Sequence, residues 1–161
     1  MGSRGSVQDS ARDTGRREIN DSVRGGAPAG AVGELLEKLQ KLEFELSEQK
    51  GSFDLFGLIL REDSLDRWDV VVAAPWFGAD KRSILKLLTE KLAESLGAAE
   101  MMMISRVVPL AYHDRFLSAI QGIARLEHGL REIGDIDLAG VRVSRGYLIT
   151  CQSSRGGQRR N

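Results

Sequence analysis

His113 and His128 are the only imidazoles in the chain and Cys151 is the only thiol. Two histidines cannot build a His-rich metal site, and one cysteine excludes both an internal disulfide and a cysteine-based zinc cluster. A Ser–His catalytic pair has to use one of these two imidazoles. The neighbours Glu127 and His128 offer the elements of a carboxylate–imidazole dyad. Cys151, at the end of an apolar run, reads as a small buried apolar residue. The spacings that mark common chemistries are missing: there is no Gly-x-Gly-x-x-Gly, no phosphate-binding Walker loop, no His-Glu-x-x-His, no Gly-x-Ser-x-Gly and no Cys-x-x-Cys. Glu48-Gln49-Lys50 has the carboxylate-to-lysine spacing of a restriction-type nuclease. It falls at the end of a helical pattern, whereas that chemistry needs a strand. No catalytic residue, metal ligand or cofactor is assigned.

What remains is a set of side chains at two loop-to-helix junctions. Trp76 is followed by Asp80, Lys81 and Arg82, and Pro109 is followed by Tyr112, His113, Asp114 and Arg115. Aromatic rings, cations and free helix amides together suit an anion or a phosphate group. Trp76, Lys81, Arg82, Tyr112, His113 and Arg115 are therefore the expected ligand-binding residues, with Asp80 and Asp114 as helix caps.

The elements that position these residues are read from periodicity. Val32, Leu35, Leu39, Leu42 and Leu46 alternate spacings of three and four, which predicts a helix over 32–49 that docks on its own domain. Residues 53–60 and 69–74 are short, β-prone and apolar without alternation, so they predict a hairpin buried on both faces. Ile84, Leu85, Leu88, Leu92 and Leu96 share one face of a helix over 81–96. Residues 101–110 predict a third strand, with the methionine run as core and Pro109 at its end. A helix over 114–126, a short strand over 130–133 and a longer strand over 141–151, with a bulge at Gly146, complete the body.

The expected fold is α/β, bordering on α+β: a single domain with a mixed five-stranded sheet and three helices in the order α-β-β-α-β-α-β-β. Two crossover units should make strands two, three and four parallel, with strands one and five antiparallel. That topology puts Trp76 and His113 on one rim of the sheet and His128 on the opposite rim.

Residues 1–30 and 153–161 carry almost no large apolar side chains and are expected to be disordered tails around a globular body, 31–152. Lys plus Arg and Asp plus Glu both number 23. The first tail is +1 and the second +3, which leaves the body at −4. Arg-Gly-Gly occurs at 24–26 and 155–157, an isolated pattern through which nucleic acid is only a weak expectation. No apolar run approaches the roughly 20 residues that span a bilayer, and no secretory signal is evident, so a cytoplasmic location without membrane partners is expected.

The expected function is recognition without chemistry: an intracellular binding or interaction domain that self-associates, as a dimer, and takes a protein partner or a small anionic ligand. The alternative is a small hydrolase or transferase acting on a phosphate-containing substrate at the rim of Trp76 and His113. Self-association is expected because three helices must cover two faces of a five-stranded sheet, leaving apolar surface bare.

Overall fold

The computed structural model describes residues 30–153. Apart from Gly30 and Ser153, the expected tails lie outside the described residues. Helix α1 spans Gly30–Lys50, β1 Leu55–Arg61 and β2 Trp68–Ala73. A 3-10 turn at Pro75–Phe77 leads to α2, Lys81–Ser95, and to a short α3, Ala98–Met102. Strand β3, Ile104–Pro109, is followed by α4, Arg115–Gln121, and by the hairpin of β4, Arg131–Leu138, and β5, Val141–Cys151. The sheet order is β3-β2-β1-β5-β4. This is a single α/β domain built on a mixed five-stranded sheet.

The two central apolar strands are buried on both faces, as their lack of alternation requires. On one face lie α1 and α2. Leu35, Leu36, Leu39, Leu42 and Leu46 of α1 and Ile84, Leu88 and Leu92 of α2 join Phe56, Leu58, Val70, Val72 and Ile149 of the sheet in one core. The leucine seam of α1 thus docks within the domain. On the other face, among the described residues, only α4, seven residues long, covers the sheet, placing Leu117 and Ile120 on Leu55, Val71, Ala73, Leu148 and Cys151. Among the described residues no helix is long and apolar enough to cross a membrane.

Several expectations are corrected. Among the described residues only β2 and β3 form a hydrogen-bonded parallel pair, joined by the crossover through α2. The fourth strand does not lie beside the third: it pairs with β5 at the far edge, antiparallel, while β5 runs antiparallel to β1 and so in the direction of β2. The reason is the tight turn at Ala139 and Gly140, both at positive φ, which folds β4 directly back onto β5.

The third strand begins at Ile104, not Met101, because the residues before it form α3. Glu100 accepts from its own Gly97 backbone N–H at 2.8 Å and from Lys38 Nζ of α1 at 2.8 Å. These donors hold its carboxyl below the usual range, the lysine bond being the larger cause. A tertiary partner therefore turns a methionine-rich segment into helix. In the same way α4 stops at Gln121, because Leu126 exchanges backbone hydrogen bonds with Cys151 and draws the chain out of the helix.

The register of β5 against β1 shifts beside Ile149 and Ser144, not at Gly146. Gly146 serves a close approach instead, since a Cβ there would lie 2.8 Å from Ile59 Cδ1 and 3.0 Å from Ile133 Cγ1.

Cys151 is fully buried, and its thiol donates to the carbonyl of Ile120 at 3.6 Å. Burial pushes its pKa up to about 11. In the unfolded chain a thiol ionises near about 8.5, so unfolding above that pH releases a proton and stability falls as pH rises towards 11. At pH 8 a chromogenic disulfide reagent should label Cys151 at the slow rate of global unfolding and label it at once in urea. Rapid labelling of the folded protein would contradict this burial.

Candidate ligand-binding site

The C-terminal ends of β2 and β3 do share one end of the sheet, where Val72 pairs with Pro109. The expected rim residues are nevertheless split among three places. Trp76 turns under the sheet end: its indole donates to the carbonyl of Gly51 at 2.7 Å and packs edge-on against Phe53 and Phe77, which ties the end of α1 to the sheet. Lys81, Tyr112 and His113 line a cavity of about 490 Å³ together with Phe77, Ile84 and Leu110. Arg82 is exposed on α2 and lines neither cavity described here, while Arg115 lies on the opposite side of His113, in a second cleft. Asp80 and Asp114 are both caps: Asp80 accepts from the Ser83 N–H at 3.2 Å and Asp114 from the Phe116 N–H at 2.8 Å. The Ser83 bonds hold the Asp80 carboxyl below its usual range.

The second cleft lies on the sheet face that α4 leaves uncovered. It has a volume of about 510 Å³ and runs from the β4–β5 turn at Ala139 to the start of α4. Its apolar surface comes from Ile59, Val71, Val108, Leu110, Phe116 and Val141. His113 and Leu110 belong to both cavities and form the partition between them.

On the floor of this cleft is an ionic cluster that motif reading did not find. Asp69 Oδ2 accepts from Arg61 Nε at 2.8 Å and from Arg106 Nε at 3.3 Å. Arg61 also donates to Asp63 from Nη1 at 2.7 Å, and its guanidinium is held in the charged form above its ordinary value, chiefly by the hydrogen bond to Asp69 and against the opposing effect of burial. The Asp69 side chain is 4% exposed, and its Oδ1 has no hydrogen-bond partner among the described residues. Leaving such an oxygen buried and unpaired costs on the order of 1–3 kcal/mol. One signal for this cluster was legible in principle: Asp69 opens an apolar strand whose two faces are both buried, so its carboxylate has to find cationic partners.

A second buried carboxylate sits across the sheet. Glu43, fully buried on the leucine stripe of α1, accepts from His128 Nδ1 at 2.7 Å and from the Thr150 hydroxyl at 2.9 Å. The His128 backbone, at φ 54°, donates to Thr150 Oγ1 at 3.0 Å, and Phe44 meets the imidazole edge-on. Because β5 runs parallel to β2, His128 beside Thr150 and Cys151 is at the same sheet end as Ala73 and Pro109. This corrects its expected place on the opposite rim. The partner of His128 in the buried network is Glu43, with Glu127 Oε2 3.6 Å from Nε2 on the exposed side. The spacing from Leu39 and to Leu46 already put Glu43 on the buried stripe of α1.

Among the described residues no group of three or more His, Cys, Asp and Glu is placed to hold a metal ion. Comparison of the chain with protein-family models, with curated proteins and with solved structures finds no match. The functional reading therefore rests on the geometry of the two clefts and their charged residues.

Proposed function

We propose that this protein is a binding domain that holds a small molecule with an apolar body in the cleft beside α4, on the part of that sheet face that the described residues leave open. One observation carries the reading: an apolar cleft of about 510 Å³ has at its floor a carboxylate oxygen that is buried and without a partner among the described residues. Its size falls in the range of about 300–1,000 Å³ typical of small-molecule sites, and its polar groups fall in two sets, Arg61, Asp69 and Arg106 on the sheet and His113, Asp114 and Arg115 at the start of α4. The residues that line it include no serine, threonine or cysteine, so recognition fits them better than covalent catalysis. Phosphate chemistry at the rim has less support, because Trp76 and Arg82 are not brought to His113.

A fluorescent dye with an apolar aromatic body and an anionic sulfonate, 8-anilinonaphthalene-1-sulfonate, tests this. It should bind the folded protein with micromolar affinity, and Val108→Trp, which fills the cleft from a half-buried position, should remove the signal while leaving the urea midpoint nearly unchanged. Dye binding that Val108→Trp does not alter would refute the assignment. If the chain self-associates through the same sheet face, a dimer and the dye should compete. Sedimentation equilibrium with and without dye reads that competition directly.

A further inference from the structure

Resting on the cleft as the binding site, we propose that its ligand is a monocarboxylate amphiphile: a single carboxylate on a hydrocarbon body. The charges at the cleft select the sign of the head group. Three arginines, Arg61, Arg106 and Arg115, stand against two aspartates. Both aspartates are already engaged, Asp69 by Arg61 and Arg106, and Asp114 by the Phe116 N–H that it caps. Asp69 Oδ1 is buried, so it offers a ligand's amine nothing while Arg106 stays bound. The arginines thus exceed the aspartates by one positive charge, which a monoanion matches.

Arg106 is the anchor. Its Nε is engaged by Asp69, its terminal nitrogens make no hydrogen bond among the described residues, and its side chain is 56% exposed. A guanidinium held through Nε keeps its outer edge, two parallel N–H groups, for bidentate pairing with a carboxylate. The ligand takes that edge and leaves the Asp69 contact in place. Arg61 cannot play this part, because Asp69 and Asp63 already occupy Nε and Nη1. The position of Arg106 also sets the direction of the ligand. Beside the apolar cleft is a polar one of about 460 Å³, bounded by Glu62, Asp63 and Arg142, and the two share Arg61, Arg106 and Val141. Arg106 therefore stands where apolar lining gives way to polar lining. A carboxylate at this border keeps part of its hydration, which avoids the cost of burying a charge, while the body lies along Val71 and Val108 towards Phe116. Arg115, in the other polar set, lines the apolar cleft but not this border.

Four probes separate head from body: octanoate, hexanoate, octan-1-ol and octylamine, each titrated into the isotopically labelled full chain while the Val71 and Val108 methyl signals and the Arg106 Nε–H signal are followed. Octanoate should bind about tenfold more tightly than octan-1-ol, and octylamine no more tightly than the alcohol. Hexanoate, shorter by two methylenes, should bind about tenfold more weakly than octanoate. Arg106→Gln should bring octanoate down to the affinity of octan-1-ol and leave the alcohol unchanged. Arg106→Lys, which keeps a cation beside Asp69 but loses the bidentate edge, should lie between. Arg115→Gln should alter octanoate binding by less than about twofold. Equal affinity for octanoate and octan-1-ol, a preference for octylamine, or loss of the octanoate preference in Arg115→Gln instead of Arg106→Gln would overturn the head-group assignment while leaving the cleft as a site. No shift at Val71 and Val108 with any probe, or equal affinity for hexanoate and octanoate, would overturn the cleft itself.

Discussion

Phe53→Ala is expected to lower the unfolding free energy by about 4 kcal/mol. The ring is fully buried where α1 hands over to β1, and it meets Phe56 at 5.0 Å, Trp76 at 5.4 Å and Phe77 at 6.2 Å between centroids, in each case edge to face. Its backbone carbonyl also accepts from Gln152 Nε2 at 2.8 Å, which fixes the C-terminal end of β5 to the same corner. Truncation removes a whole ring from a place where three elements meet. The surrounding rings are themselves held, Trp76 by its bond to Gly51, and cannot collapse into the space. Urea unfolding followed by circular dichroism measures the loss, with Leu65→Ala, 89% exposed, as a control expected to change stability by less than about 0.5 kcal/mol. A cost at Phe53 as small as at Leu65 would mean that this corner is not packed as described.

His128→Ala should cost about 3 kcal/mol, for a different reason. It removes the charge-assisted donor at 2.7 Å and leaves the Glu43 carboxylate, fully buried among leucines, with the Thr150 hydroxyl as its remaining partner. The loss is mainly the cost of an uncompensated buried charge, so it depends on the carboxylate being there. Adding Glu43→Leu to His128→Ala should therefore recover most of the stability, although two native side chains are then missing. If the double variant is as unstable as the single one, His128 acts by packing on Phe44 and not by pairing with Glu43.

The sequence by itself determined the elements whose stability comes from their own pattern. The seam of α1 appears with its periodicity intact, the stripe of α2 is buried at Ile84, Leu88, Leu92 and Leu96 while Leu85 is exposed beside it, and the unbroken apolar runs of β1 and β2 are buried on both faces. Asp80 and Asp114 cap the helices they precede, since a cap is a contact over two or three residues.

Only the tertiary structure decided the rest, because it depends on partners far apart in the chain. Strand β4 pairs with β5 instead of β3, a choice between two edges that local propensity does not distinguish. The expected binding residues were grouped by their proximity to helix starts, yet Trp76 is drawn away by a carbonyl 25 residues earlier. The most telling groups are the buried carboxylates. Glu43 finds His128 across 85 residues, and Asp69 finds Arg106 across 37. A charged residue on an apolar stripe or strand says that a partner must exist, because burying a lone charge is too costly. Which residue supplies that partner, and which donors are left over for a ligand, is settled only when the chain has folded.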